Sequence, residues 1–326
     1  MHRRMISTVM GMVAAGWCFF CGSVNGALVF DGKNDYVVVK RDLTGGVPGI
    51  TICAWIAAGS SSNIFSFDSA LLHSHNLGFY LIGHDGRESG YLTWNPDPLY
   101  NEWQFIGATW QGSVEAPHPG ESGAGQGIGK MRLYLNGVRQ QDELSFAGGP
   151  KGRLYGTPEM RIGKRFNQWR DFYKGKTEDV RVYNRALSSD EMMRVYQSGG
   201  YDGVTDGLIL RWALNEKKKG GIAAGADTIR DVSGKGNNGT PLGAPVYLSS
   251  EEEIAQCQKV RDRIGSCFNV KNGSALASFK PKYEELNQAF DRMMSREERF
   301  AHVADDLLKR YEALETKVKF EILFIE

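Results

Sequence analysis

Three aspartates sit where a hard cation could be held. Asp31 stands between Phe30 and Gly32, Asp35 closes the same short turn, and Asp179 lies far along the chain in Glu178-Asp-Val-Arg-Val-Tyr183. Calcium takes about six to eight oxygens at about 2.3–2.6 Å, usually carboxylates with backbone carbonyls from a tight loop. Asp31, Asp35 and Asp179 are therefore the calcium candidates. The same residues have a plainer use: Asp31 and Asp35 can bond turn amides, and Asp179 can pair with Arg181 or Arg185. A second chemistry is suggested by tryptophans among polar neighbours, in Trp94-Asn-Pro-Asp-Pro98 and Asn167-Gln-Trp-Arg-Asp-Phe-Tyr173. A sugar ring lays its C–H face on such an aromatic while Asn, Asp and Arg bond its hydroxyls. Trp94, Trp169, Arg170 and Asp171 are the carbohydrate candidates; the alternative is that each ring covers an apolar edge.

Hydrolysis has weaker support. A retaining glycosidase needs two carboxylates about 5–5.5 Å apart. Glu178 and Asp179 are adjacent, and on a regular strand they face opposite sides. The sequence has no Gly-x-Ser-x-Gly elbow, and no catalytic residue is assigned. Cys257 and Cys267 are spaced to bridge across a helix end, while Cys53 reads as a small core residue within Ile50-Thr-Ile-Cys-Ala-Trp-Ile56. The Cys257–Cys267 spacing matches no metal motif.

The elements that carry these residues are mostly strands. From 27 to about 187, runs rich in Val, Ile, Tyr, Phe and Trp alternate with Gly, Asn, Asp and Ser clusters. The strongest are 28–30, 36–39, 50–56, 78–82, 91–94, 103–110, 131–135, 160–162 and 177–183, and Asn136-Gly137 predicts a tight hairpin. Trp55, Trp103 and Trp212 fall on strands and read as core. Residues 113–129 predict a long surface loop. Ser188-Ser-Asp-Glu191 and Ser250-Glu-Glu-Glu253 are capping boxes that should open helices.

From 249 the pattern becomes helical. Pro281 suits a first helical turn. Tyr283, Leu286, Phe290, Met293, Glu297, Phe300, Ala304, Leu307, Tyr311 and Leu314 then recur by threes and fours, a seam able to form a coiled coil or, broken near Ser295, a two-helix hairpin.

Hydrophobic content of 41% and charge of 24% fit a soluble globular chain of 326 residues. The formal charge of +1 gives no argument for nucleic acid. Arg3, Arg4 and the apolar run to Phe20, followed by Val24-Asn-Gly26, predict a signal peptide over 1–26 cut before Ala27; an uncut anchor is the alternative. Removing Arg3 and Arg4 from the 39 basic residues leaves 37 against 38 acidic ones. The expected location is secreted, periplasmic or cell-surface, with no membrane span after cleavage.

Six segments together resemble the laminin-G-like, concanavalin A-like jelly-roll family: Phe30-Asp-Gly32, Ile52-Cys-Ala-Trp55, Glu102-Trp-Gln-Phe-Ile-Gly-Ala-Thr109, Leu133-Tyr-Leu-Asn-Gly137, Met160-Arg-Ile-Gly163 and Asp179-Val-Arg-Val-Tyr-Asn-Arg-Ala-Leu187. The resemblance implies a mainly β, antiparallel sandwich with a helical extension. It also implies calcium where the opening and closing strands meet. Gly207-Leu-Ile-Leu-Arg-Trp-Ala-Leu-Asn-Glu216 and the loop Asp231-Val-Ser-Gly-Lys-Gly-Asn-Asn-Gly-Thr240 resemble segments that usually precede the Phe-Asp-Gly strand, yet here they follow the domain. The expected organisation is a jelly roll over 27–248, completed in permuted order by 207–248, and a helical tail over 249–326. The functional expectation is an exported non-catalytic binding module for glycan or an extracellular protein. The alternatives are an assembly protein forming a homo-oligomer through 281–314 and, less favoured, a glycoside hydrolase.

Overall fold

The computed structural model describes residues 24–323 apart from 60–62, 68–69, 74–77, 83–87, 94–99, 113–129, 141–143, 147–153, 155, 166–170, 217–220, 227, 249, 269–274 and 297. Most of the expected signal peptide and the 113–129 loop lie outside the described residues.

The strands are β1 (Val24–Asn25), β2 (Ala27–Asp31), β3 (Tyr36–Val39), β4 (Gly49–Ala58), β5 (Asn63–Phe67), β6 (Ala70–His73), β7 (Gly78–Ile82), β8 (Glu88–Thr93) and β9 (Gln104–Gln111). They continue with β10 (Lys130–Leu135), β11 (Val138–Arg139), β12 (Leu144–Phe146), β13 (Met160–Ile162) and β14 (Lys174–Tyr183). Helix α1 (Ser189–Gln197) precedes β15 (Leu208–Trp212), β16 (Thr240–Leu242) and β17 (Val246–Leu248). The tail holds α2 (Glu251–Phe268), α3 (Lys280–Met294), β18 (Glu298–Arg299) and α4 (Ala301–Leu323).

Two antiparallel sheets form a sandwich. One runs β11-β10-β9-β4-β14-β2-β17, with β15 also paired to β14; the other runs β12-β8-β7-β6-β5-β13-β3-β16. Alternation along each strand sorts side chains to its two faces. On β4, Ile50, Ile52, Ala54 and Ile56 enter the core between the sheets, whereas Cys53 and Trp55 face outward into a second cluster under α1. The sheets are thus laid out as a jelly roll with a helical extension.

Residues 208–248 supply strands to both sheets. β15 lies against Val180–Tyr183 of β14, in line with β2, which pairs with Lys174–Thr177 of the same strand. β17 adds to the far side of β2, and β16 adds to β3. Leu210, Trp212, Leu214, Ile229 and Tyr247 are buried in the same core as Phe30 and Ile52.

The Ser188 capping box forms: the Ser188 hydroxyl accepts from Glu191 N and the Glu191 carboxylate accepts from Ser188 N. Arg185 also grips Glu191, holding its carboxyl down at about 2. The expected box at Ser250 does not form. The Ser250 hydroxyl and one Glu253 oxygen have no hydrogen-bond partner among the described residues, and the first turn of α2 is closed by the backbone bond from Ile254 N to Ser250 O.

The seam over 283–314 breaks between α3 and α4. Its apolar residues other than Phe300 pack with Cys257, Val260 and Ile264 of α2 in one core, while Phe300 packs against Tyr201 and His302. β18 pairs in parallel with β1, so cleavage before Ala27 would remove that short contact. No helix among the described residues is long and apolar enough to cross a membrane.

Candidate binding cleft

Strand β14 organises the outer face of the first sheet through a bulge. Opposite β4, Glu178 aligns with Trp55 and Arg181 with Cys53, so three steps on β14 match two on β4. The extra residue is Asp179, whose φ of +46° is a left-handed conformation that aspartate tolerates better than most residues. The bulge overturns the expectation that Glu178 and Asp179 face opposite sides. Both carboxylates act on the outer face, where each is buried.

Asp179 is taken up by arginines. Arg181 and Arg211 stand opposite one another on β14 and β15, a like-charge pairing that is unfavourable by itself. Asp179 lies between them, at 2.7 Å from Arg181 Nη2 and 2.7 Å from Arg211 Nε. Arg181 also donates to Asp202 at 2.6 Å. Burial would raise the Asp179 pKa, but the two guanidiniums outweigh it and hold the carboxyl well below the usual range.

The calcium candidates therefore do not converge. β2 and β14 pair with Asp31 opposite Lys174, which leaves Asp179 five residues farther on, roughly 17 Å at about 3.3 Å per residue. Asp35 accepts Asp31 N at 2.9 Å and Ala244 N at 2.7 Å, and Asp31 accepts Lys33 N at 2.8 Å. These are turn-stabilising bonds. Among the described residues no group of three or more His, Cys, Asp or Glu side chains is arranged to hold a metal.

The expected Cys257–Cys267 bridge is corrected as well. Both are free thiols on one continuous helix. Ten residues of helix rise about 15 Å, beyond the Cα separation of about 4.4–6.8 Å that a disulfide spans.

Of the carbohydrate candidates, Trp94, Trp169 and Arg170 lie outside the described residues. Asp171 is half-buried, and its carbonyl accepts Arg165 N at 3.1 Å. It sits beside the Lys164–Phe172 bridge, where Lys164 Nζ lies over the rings of Tyr36 and Phe172 at 4.9 and 5.0 Å.

A concavity among the described residues lies elsewhere. A cleft of about 840 Å³ lies where the outer face of the first sheet and α1 meet α3 and α4. Trp55, Trp103, Tyr196 and Tyr201 provide aromatic surface, joined by Asn136, Arg292, Arg296, His302 and Asp305. Trp55 stacks on His302 with ring centroids 3.9 Å apart and planes 14° apart, and on Tyr196 at 5.5 Å and 25°. Glu178 holds this arrangement. Its carboxylate accepts the first amides of α4, Ala301 N at 3.0 Å and His302 N at 3.1 Å, and contacts His302 Nδ1.

Sequence reasoning placed Trp55 and Trp103 in the core. Trp55 is buried in the second hydrophobic cluster, on the outer face of the sheet, and Trp103 packs against that cluster, half-exposed on the cleft wall. Nothing local in the sequence showed which element covers Trp55.

Similar folds are known. A heptameric SAP-like pentraxin from Limulus polyphemus is 15% identical over 70% of this chain and 97% of its own, with a TM-score of 0.43. A Bacteroides ovatus protein named for carbohydrate binding is 20% identical over 69% of this chain and 60% of its own, also at 0.43. Domains LG4-5 of the mouse laminin α1 chain are 11% identical over 63% of this chain and 51% of their own, at 0.35. No curated protein matches the chain. Residues 31–193 match the family described as the concanavalin A-like lectin/glucanases superfamily, and the chain, with its two antiparallel sheets, belongs to that family.

Proposed function

We propose that the protein is an exported, non-catalytic module that binds carbohydrate in the cleft between jelly roll and helical tail. The observation that carries this reading is the aromatic wall of Trp103, Tyr196 and Tyr201, each half-buried, with Asn136 and arginines lining the same cleft. Flat apolar faces beside a few polar groups are what a pyranose requires, and such concavities are the usual place for small ligands. The carboxylates that line the cleft are paired, Asp305 with Lys309 and Asp306 with Arg310, while Glu178 caps α4 and Asp179 neutralises two arginines.

The test is a glycan array probed with the mature chain, followed by titration of the retained glycan. Trp103→Ala should lower affinity about tenfold or more at unchanged melting temperature. A chain that retains no glycan would reject the proposal, and release of new reducing ends would reject the non-catalytic part. Calcium enters only through the Asp31–Asp35 turn. If that turn binds it, millimolar calcium should raise the melting temperature of chelator-treated protein, and an unchanged melt removes calcium from the proposal.

A second reading, assembly through the tail, is favoured by one observation. Phe320 and Leu323 at the end of α4 are 61% and 73% exposed, while the seam that was expected to associate is buried within its own chain.

A further inference from the structure

We infer that the glycan taken by this cleft is anionic, carrying a carboxylate or sulfate; the inference rests on the carbohydrate reading above. The polar groups around the cleft are unequally committed. Lys309 is held by Asp305 at 3.0 Å, and Arg310 by Asp306 at 3.3 Å and Glu285 at 2.9 Å. Arg292 and Arg296 make no ion pair among the described residues, although both are exposed and line the cleft. Arg292 lies in the last turn of α3, and Arg296 follows the helix just past its Ser295 cap, where its backbone N–H bonds Met293 O at 3.2 Å. Arg296 is set over the ring of Tyr201, with its guanidinium carbon 4.6 Å from the centroid. A stacked guanidinium keeps its N–H edge free for a planar, two-oxygen acceptor.

Two further nitrogens in the cleft lining lack partners. Trp55 Nε1 and His302 Nε2 are buried without a hydrogen bond, in residues 9% and 4% exposed whose rings are stacked together. The indole N–H is only a donor. His302 turns Nδ1 to the Glu178 carboxylate, which fixes the ring against Trp55. An unpaired buried donor such as the Trp55 indole is rare in folded proteins, and here it accompanies two arginines that make no ion pair among the described residues, one of them set over an aromatic ring. The complement of that set is an acceptor-rich, negatively charged pyranose.

Calorimetry of the full mature chain with a heparin-derived hexasaccharide, hexagalacturonate and neutral cellohexaose decides the matter. The sulfated or the uronate probe should bind at least about tenfold more tightly than cellohexaose, and whichever is tighter identifies the acidic group. Its affinity should fall as salt is raised from about 0.05 to 0.5 M. Arg292→Ala with Arg296→Ala should reduce it about tenfold or more, with the paired Lys substitutions intermediate and all melting curves alike. Equal or tighter binding of cellohexaose would overturn the anionic inference and leave the carbohydrate reading standing. Acidic binding that the double Ala variant does not change would also overturn the inference, placing that ligand elsewhere. Failure of all three probes, together with an empty array, would remove both.

Discussion

At the scale of single residues, the Asp179 cluster shows how one carboxylate governs a face of the sheet. It lies between two arginines that would otherwise repel across β14 and β15, and nearly all of this is out of water. Asp179→Asn keeps the shape and the tolerance for a left-handed backbone, but leaves Arg181 and Arg211 with a charge deficit. A loss of about 3–5 kcal/mol is expected in urea unfolding, as for other broken buried pairs. The pH dependence follows from the sign of the shift. The folded carboxyl is depressed, so its stabilisation is complete above the ordinary aspartate value of about 3.9 and is lost as pH falls through the lower folded value. Melting curves from pH 7 to 2 should therefore show the wild-type advantage over Asp179→Asn shrinking below about pH 4; an advantage independent of pH would mean that the charge is not its source. Cys53, close beneath the same cluster, is pushed up to about 12 by burial, and should remain unmodified by a thiol reagent while the protein is folded.

At the scale of elements, the decisive join is between β14 and α4. Helix starts leave amides without partners, and here the partner comes from another part of the chain, Glu178 on a strand. The contact is supported at Gly199–Gly200, where α1 ends. Gly200 has a φ of +94°, and a Cβ there would stand 2.4 Å from the Phe300 ring. Glu178→Ala should cost about 1–2 kcal/mol as a lost cap and raise hydrogen exchange at the Ala301 and His302 amides well above that of the middle of α4. Exchange rising equally along α4 would show general unfolding instead. Gly200→Ala, which leaves the carboxylate in place but crowds Phe300, should weaken the same join. The capping boxes teach a related lesson. Ser188 and Ser250 carry the same local pattern, yet only Ser188 forms its bonds. Ser188 has Arg185 to brace its partner Glu191.

At the scale of the whole molecule, residues 208–248 complete both sheets and contribute Trp212 and Tyr247 to the shared core. We expect a fragment of residues 27–200 to be insoluble or unfolded, because it exposes the free edge of β2 and opens that core. A soluble fragment with unchanged melting would show that 208–248 is dispensable. Light scattering tests the tail: association that Phe320→Ser with Leu323→Ser abolishes would establish assembly through the end of α4, and a monomer would exclude it. Much of this architecture was legible in the sequence. Alternation at Ile50–Ile56 and Val180–Tyr183, the Asn136-Gly137 hairpin and the Ser188 box depend on neighbours a few residues away, and short-range sterics with burial on one face suffice to reveal them. The strands at Asn63–Phe67 and Ala70–His73 were missed because runs of four or five residues carry too little period. Only the tertiary structure decided the bulge at Asp179, the break of the seam into helices packed on α2, and the meeting of Trp55, Trp103, Tyr196, Arg292 and His302. Those residues are far apart in sequence, and what brings them together is the burial of one outer sheet face by a helix that no local pattern ties to it.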